Sequence, residues 1–297
     1  MSAGHHRRIA LVTGGTDGIG KEIARGLASR GSEVILVGRD RAKGAAAKDD
    51  IHRTTGNPQL EFLQADLSLM RGVRLLSDEV TARWPALHDL VHSAGIVRGR
   101  RVMSREGIES NFAINYLARF ALTGWVLPLL QAGARSDQAS RILLVSGTAQ
   151  AGGVYFEDVN LTSNFSTLRV VLQSCRANDL FTFEQARRLV SADLSSRIVI
   201  NCLKFGPVKT NIRRGFPWWM KLLVTLLLNP LLGQTPSQAA EAALGLLTGE
   251  FDGVTGARFS KIRKFKQLAI DSRAADGADA QRLWHLSERM VATALSG

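Results

Sequence analysis

Ile9-Ala10-Leu11-Val12-Thr13-Gly14-Gly15-Thr16-Asp17-Gly18-Ile19-Gly20 is the stretch on which the fold turns. Ile9–Val12 is apolar and partly β-branched, and reads as a short buried strand. Glycines at 14, 18 and 20 interrupt it, and Gly18–Arg30 then reads as a helix closed by Gly31. Glycines alone mean no more than a tight turn. Between a strand and a helix they let main chain approach a pyrophosphate, whose negative charge the helix N-terminus favours. Thr16, Asp17 and Ile19 complete this candidate loop.

Outward from the loop the alternation continues. Val34–Val37, Leu60–Gln64, Leu90–His92, Arg141–Val145, Arg197–Cys202 and Ala257–Ser260 read as strands. Helical patterns separate them over about 39–54, 68–84, 111–130 and 168–194, and from Thr235 or Ser237 to about 248; Ser68 is a candidate N-cap. Such β-α-β alternation predicts an α/β fold, a doubly wound parallel sheet of about seven strands with helices on both faces. No repeat or linker divides residues 1–297, so one dinucleotide-binding domain is expected, with 211–235 inserted over the strand ends.

Hydrophobic residues at 45% and charged residues at 22% fit an ordinary globular chain. A net charge of +12 raises nucleic acid, an anionic membrane or an acidic ligand as partners. The basic residues are mostly scattered, and the densest late group, Lys261, Arg263, Lys264 and Lys266, matches no nucleic-acid module. A solvated basic surface is the reading, with no nucleic-acid partner. Two cysteines, Cys175 and Cys202, and six histidines show no disulfide or metal spacing, which suits a reducing cytoplasm. The charged start Met1–Arg8 leads into a strand, so no signal peptide is expected. Phe216–Leu232 is very apolar, but Lys221, Asn229 and Pro230 interrupt it, and it falls short of the ~20 clean residues of a membrane span. It reads as a substrate lid carrying Phe216, Trp218 and Trp219, as a contact between copies of the chain, or as an interfacial helix.

The second strand ends in Gly38-Arg39-Asp40. A carboxylate there would hold the ribose of NAD, whereas an arginine suits the 2′-phosphate of NADP. NADPH is therefore favoured over NADH, with Arg39 as the contact and Asp40 as a helix cap.

With these motifs the chain resembles the short-chain dehydrogenase/reductase family over nearly its whole length. Thr13–Gly20 resembles that family's cofactor loop, and Ala65-Asp66-Leu67 its adenine contact. His92-Ser93-Ala94-Gly95 stands where Asn-Asn-Ala-Gly is usual. Gly206-Pro207-Val208-Lys209-Thr210 is similar to the nicotinamide-side loop, with Val208 and Thr210 towards the carboxamide. Asn115 matches the catalytic asparagine. Tyr155–Leu161 and Leu283–Glu288 resemble the retinol-dehydrogenase-like branch. The resemblance also implies a dimer or tetramer through the long helices after strands four and five.

The rest of the implied machinery is missing. The family's serine, tyrosine and lysine positions carry Gly147, Val171 and Cys175, and Ser146 is one residue early. No slip of alignment restores the pair: the two tyrosines, Tyr116 and Tyr155, are followed four residues later by Phe120 and Val159. In this the chain is similar to the atypical angucyclinone ketoreductases of bacterial aromatic-polyketide pathways. That resemblance implies a flat aromatic polyketide substrate that supplies its own proton. A catalytically silent NADP(H)-binding scaffold is the competing reading, a cyclase or dehydratase a weaker one, and Tyr155, Thr148, Ser174 and Cys175 are the candidate replacement catalysts.

Overall fold

Apolar runs become the middle of the sheet. In a computed structural model, which describes residues 7–135, 137–148, 152–195, 197–206, 208, 233–249, 251, 253–262, 264–269 and 277–297, β1 (Ile9–Thr13) lies between β2 (Glu33–Gly38) and β4 (Asp89–His92). With β3 (Leu60–Gln64), β5 (Ser140–Gly147), β6 (Ile198–Phe205), β7 (Ala257–Lys261) and β8 (Phe265–Leu268), the sheet order is β3-β2-β1-β4-β5-β6-β7-β8. All pairs are parallel except β7–β8. The central strands are covered on both faces, which explains why they read as unbroken apolar runs.

One face carries α1 (Gly18–Ala28), α2 (Arg41–Thr55) and α6 (Pro236–Leu247), whose Ile23, Ile51 and Ala243 pack with Val12, Leu36 and Leu203. The other carries α3 (Met70–Arg83), α4 (Ser110–Gly133), α5 (Thr167–Ser191) and α7 (Gly277–Ser296), whose Val73, Val126, Leu180 and Leu283 pack with Leu11, Ile35 and Ile142. Helix α4 is long and apolar enough to cross a membrane, but two-thirds of it is buried here, as in a core helix.

Three expectations need correction. The sheet has eight strands, not about seven. The eighth was masked by its charges: Lys264 and Lys266 belong to an edge hairpin in which Phe265 stacks on Phe259 at 5.4 Å. Charges on an edge strand deter pairing with other chains. Ser68 does not cap α3. Its N–H and hydroxyl donate to Asp66 Oδ1 at 3.0 and 2.7 Å. Glu106 caps the helix instead, accepting from Met70 N at 2.5 Å and Arg71 N at 3.0 Å. Finally, the helix read from 111 to 130 contains a π turn, Ala113–Leu117. Thr210 and residues 211–232 of the expected lid, with Phe216, Trp218 and Trp219, lie outside the described residues. Its end is described: Thr235 caps α6 in a capping box with Gln238.

Candidate active site

The strand order reverses between β1 and β4, where each strand's following helix leaves on opposite faces. The crevice beyond the carboxyl ends of strands at such a point is where α/β sheets bind ligands. The glycine loop closes it from one side. Gly14 has φ +68, a conformation that glycine adopts without steric cost, and its N–H donates to Val37 O at 2.9 Å. A Cβ on Gly14 would fall 2.7 Å from the main chain of Ala94, and one on Gly20 would fall 2.4 Å from Gly14 O. Thr13 Oγ1 ties the loop to β4, donating to Val91 O and accepting from Ala94 N, both at 3.3 Å. Asp17 caps α1 through Gly18 N at 2.7 Å, and Ile19 and Gly20 follow in its first turn. The loop thus has the tight, side-chain-free contacts that a diphosphate at a helix N-terminus needs.

The remaining expected contacts are spread round the same crevice. Thr16 packs over Gly38, at the end of β2. Arg39 follows, exposed and without an ion pair among the described residues, while Asp40 caps α2 through Lys43 N at 3.1 Å. Asp66 is half-buried and Leu67 belongs to the core after β3. Ser93, Ala94 and Gly95 continue from β4, each partly buried. Gly206 and Val208 follow β6; Val208 bridges to Gln234, whose side chain donates to Lys261 O and Ile262 O.

Two positions that the resemblance assigns to the catalytic serine and lysine also converge. A Cβ on Gly147 would lie 3.2 Å from Cys175 Sγ, so the end of β5 faces α5 where the sequence placed the altered residues. Val171 is one turn before Cys175 on that helix. Ser146 is buried, and its hydroxyl has no hydrogen-bond partner among the described residues. Of the candidate replacements, Cys175 stands at this junction, while Tyr155 and Ser174 are engaged elsewhere. Tyr155 packs on Arg169 and its N–H donates to Gln173 Oε1 at 3.0 Å, a stripe of α5 about half a turn away from Val171 and Cys175. Ser174 Oγ donates back to Val170 O at 2.8 Å.

Asn115 sits in the π turn of α4, a bulge type found often at functional sites. Its side chain accepts from Ile96 N and donates to Ile96 O, both at 2.8 Å, and so fixes the loop after β4. Its own carbonyl accepts from Asn178 Nδ2 at 2.9 Å. Asn115 therefore braces β4 against α5.

Two buried groups were not singled out from sequence. Arg119, in the α4 turn after Asn115, donates to Val145 O and Ala94 O, each at 2.8 Å, and to Asn178 Oδ1 at 3.3 Å. Burial pulls its pKa down to about 10, still cationic at neutral pH. A lone arginine within an apolar helix was the available signal, since arginine is seldom fully buried. His92 donates or accepts at Thr123 Oγ1, 2.9 Å away; burial first, then Arg119, hold its pKa well below the usual range, so it is neutral.

Fold and site together define a dinucleotide-binding α/β oxidoreductase. The pattern of the short chain dehydrogenase family matches residues 8–160. Human polyprenol dehydrogenase is 31% identical over 96% of this chain and 85% of its own length, and mouse retinol dehydrogenase 13 is 32% identical over 97% and 85%. An uncharacterised protein of Mycobacterium paratuberculosis superposes with a TM-score of 0.75 at 27% identity, over 96% of this chain and 93% of that one. A short-chain dehydrogenase of Shigella flexneri in complex with NADP does so at 0.62 and 25%, over 85% and 96%. The chain belongs to the short-chain dehydrogenase family and is an NAD(P)-dependent oxidoreductase.

Proposed function

We propose that this chain is an atypical NADPH-dependent ketoreductase acting in the cytoplasm on a polycyclic aromatic polyketide of the angucyclinone type, in antibiotic biosynthesis. The observation that carries the reading is the meeting of Gly147 and Cys175. Gly147, Val171 and Cys175 offer neither a phenol nor an ammonium to a carbonyl there. Exposed Arg39 and the NADP complex of the Shigella relative support NADPH. Relatives named for retinol and polyprenol support an apolar ligand.

The Gly14–Gly20 loop and Arg39 would hold NADPH in the crevice, where it would supply hydride to the carbonyl carbon. The proton for the carbonyl oxygen then comes from a hydroxyl on the substrate, hydrogen-bonded to that oxygen. The oxyanion left behind is delocalised into the ring system and regains a proton from solvent. A general acid contributes roughly 10²–10⁴-fold, and an internal hydrogen bond in the substrate takes over that share. The protein contributes orientation: Asn115 braces the β4 loop, and the Gly14–Gly20 loop, packed on Ala94, would hold the cofactor. NADPH fluorescence is followed with hydroxylated polycyclic quinones and with their phenol methyl ethers. Turnover of the phenols alone is expected. Equal turnover of the ethers refutes the substrate as proton donor, and NADPH binding without any turnover makes the chain a silent scaffold.

A further inference from the structure

Arg119 is a full positive charge, 5% exposed, with no carboxylate against it among the described residues. The groups that face it are neutral at pH 7: His92 on β4, Cys202 on β6 and Asn178 on α5. The buried carboxylate nearest in sequence to Asn178, Asp179, is shared by Lys204 and Arg258, at 2.7 and 3.2 Å. Arg119 Nε has no hydrogen-bond partner among the described residues. Burying a charge unneutralised is costly, and proteins keep such groups where the charge is used.

Its place says where. One Nη holds Ala94 O, on the residue that touches Gly14 of the cofactor loop; the other holds Val145 O, two residues before Gly147. Through Asn178 it also reaches α5 one turn beyond Cys175. The guanidinium thus lies behind the wall where the ends of β4 and β5 meet α5, beside the redox end of the crevice.

We propose that Arg119 is a positioning residue whose uncompensated charge favours binding of the reduced over the oxidised cofactor. Hydride transfer leaves a positive nicotinamide ring and places negative charge on the substrate oxygen. A fixed cation beside both opposes the first and favours the second. The inference rests on the cofactor chemistry of the family and not on the substrate.

The test therefore needs no substrate. Dissociation constants for NADPH and NADP⁺ are measured by fluorescence and calorimetry on the wild type, R119K, R119Q and R119M, with melting temperatures alongside. The wild type is expected to bind NADPH the more tightly. In R119Q and R119M that preference should fall about tenfold, the size expected of one charge acting across a partly polar interior, and R119K should keep most of it. Loss of both affinities in parallel, or equal behaviour of R119K and R119Q, makes Arg119 a purely structural clamp. Should the neutral variants not fold, equal binding of the two cofactor forms by the wild type overturns the proposal by itself. Absence of turnover with every quinone, with the NADPH preference intact, would sink the substrate reading and leave this one standing.

Discussion

Single atoms decide what the crevice can hold. The Gly20 Cα hydrogen faces Gly14 O so closely that a methyl there would sit 2.4 Å from a main-chain oxygen. Backbone cannot swing aside as a long side chain does, so Gly20→Ala must displace the loop. A fluorescence titration should give at least ~10-fold weaker NADPH binding, because the amides that meet the diphosphate move with the loop; unchanged affinity would remove the loop from the cofactor site. A second residue-scale effect is protonic. His92 is held neutral in the folded chain, its pKa far below 6.5, whereas the unfolded chain takes up a proton near that value. The unfolded state then binds more protons as pH falls through the window from about 6.5 to 5, and stability must decline there. Half-buried His88, also lowered chiefly by burial, acts in the same direction. Urea denaturation of His92→Asn should show a shallower loss over that window than the wild type. An unaltered slope assigns the effect elsewhere.

At the scale of elements, the lesson lies in how helices begin and bend. The start of α3 looked self-contained because Ser68 precedes an amphipathic run, yet its N-terminal amides are satisfied by Glu106, 36 positions from Met70. Glu106→Ala should cost about 1–2 kcal/mol in urea denaturation, and Ser68→Ala clearly less, since its bonds go to Asp66. Equal costs would restore the local cap. Local pattern reveals only what local contacts cause. The strand–glycine–helix unit, the Asp40 cap and the Thr235 capping box were legible because their hydrogen bonds close within three residues. The approach of Gly147 to Cys175 is the contact expected of two positions that the resemblance assigns to one site. The π turn at Asn115 was not: hydrophobic periodicity continues across it, and it is matched by Asn178, 63 positions away. Strand β8 was hidden because an edge strand with exposed Lys266 and Gln267 lacks the apolar run by which inner strands are read. Arg119 was overlooked because a charge count weighs all arginines alike, while burial distinguishes this one.

The whole molecule turns its own ends onto surfaces through which such chains could assemble. Resemblance led us to expect a dimer or tetramer through α4 and α5. Helix α7 instead lies along α5 and reaches α3, setting the Trp284 ring 4.9 Å from Phe120 and 6.2 Å from Phe181. Tyr116 on α4 and Ser287 on α7 share a buried hydrogen bond of 2.7 Å, and Arg188 stacks 3.9 Å over Trp284. A helix held by aromatic packing and a buried hydroxyl pair covers apolar surface that a partner subunit would otherwise bury. The outer edge of the sheet is closed in the same way, by β8 with Lys266. A net charge of +12 adds repulsion between copies. Light scattering should therefore report the monomer mass of 32.3 kDa at micromolar concentration, independent of salt. A dimer stable at both low and high salt would mean that α7 forms an interface, and Trp284→Ala would then be expected to weaken assembly before it weakened folding. A dimer appearing only as salt is raised would mean that charge, and not the α7 cover, keeps the chains apart.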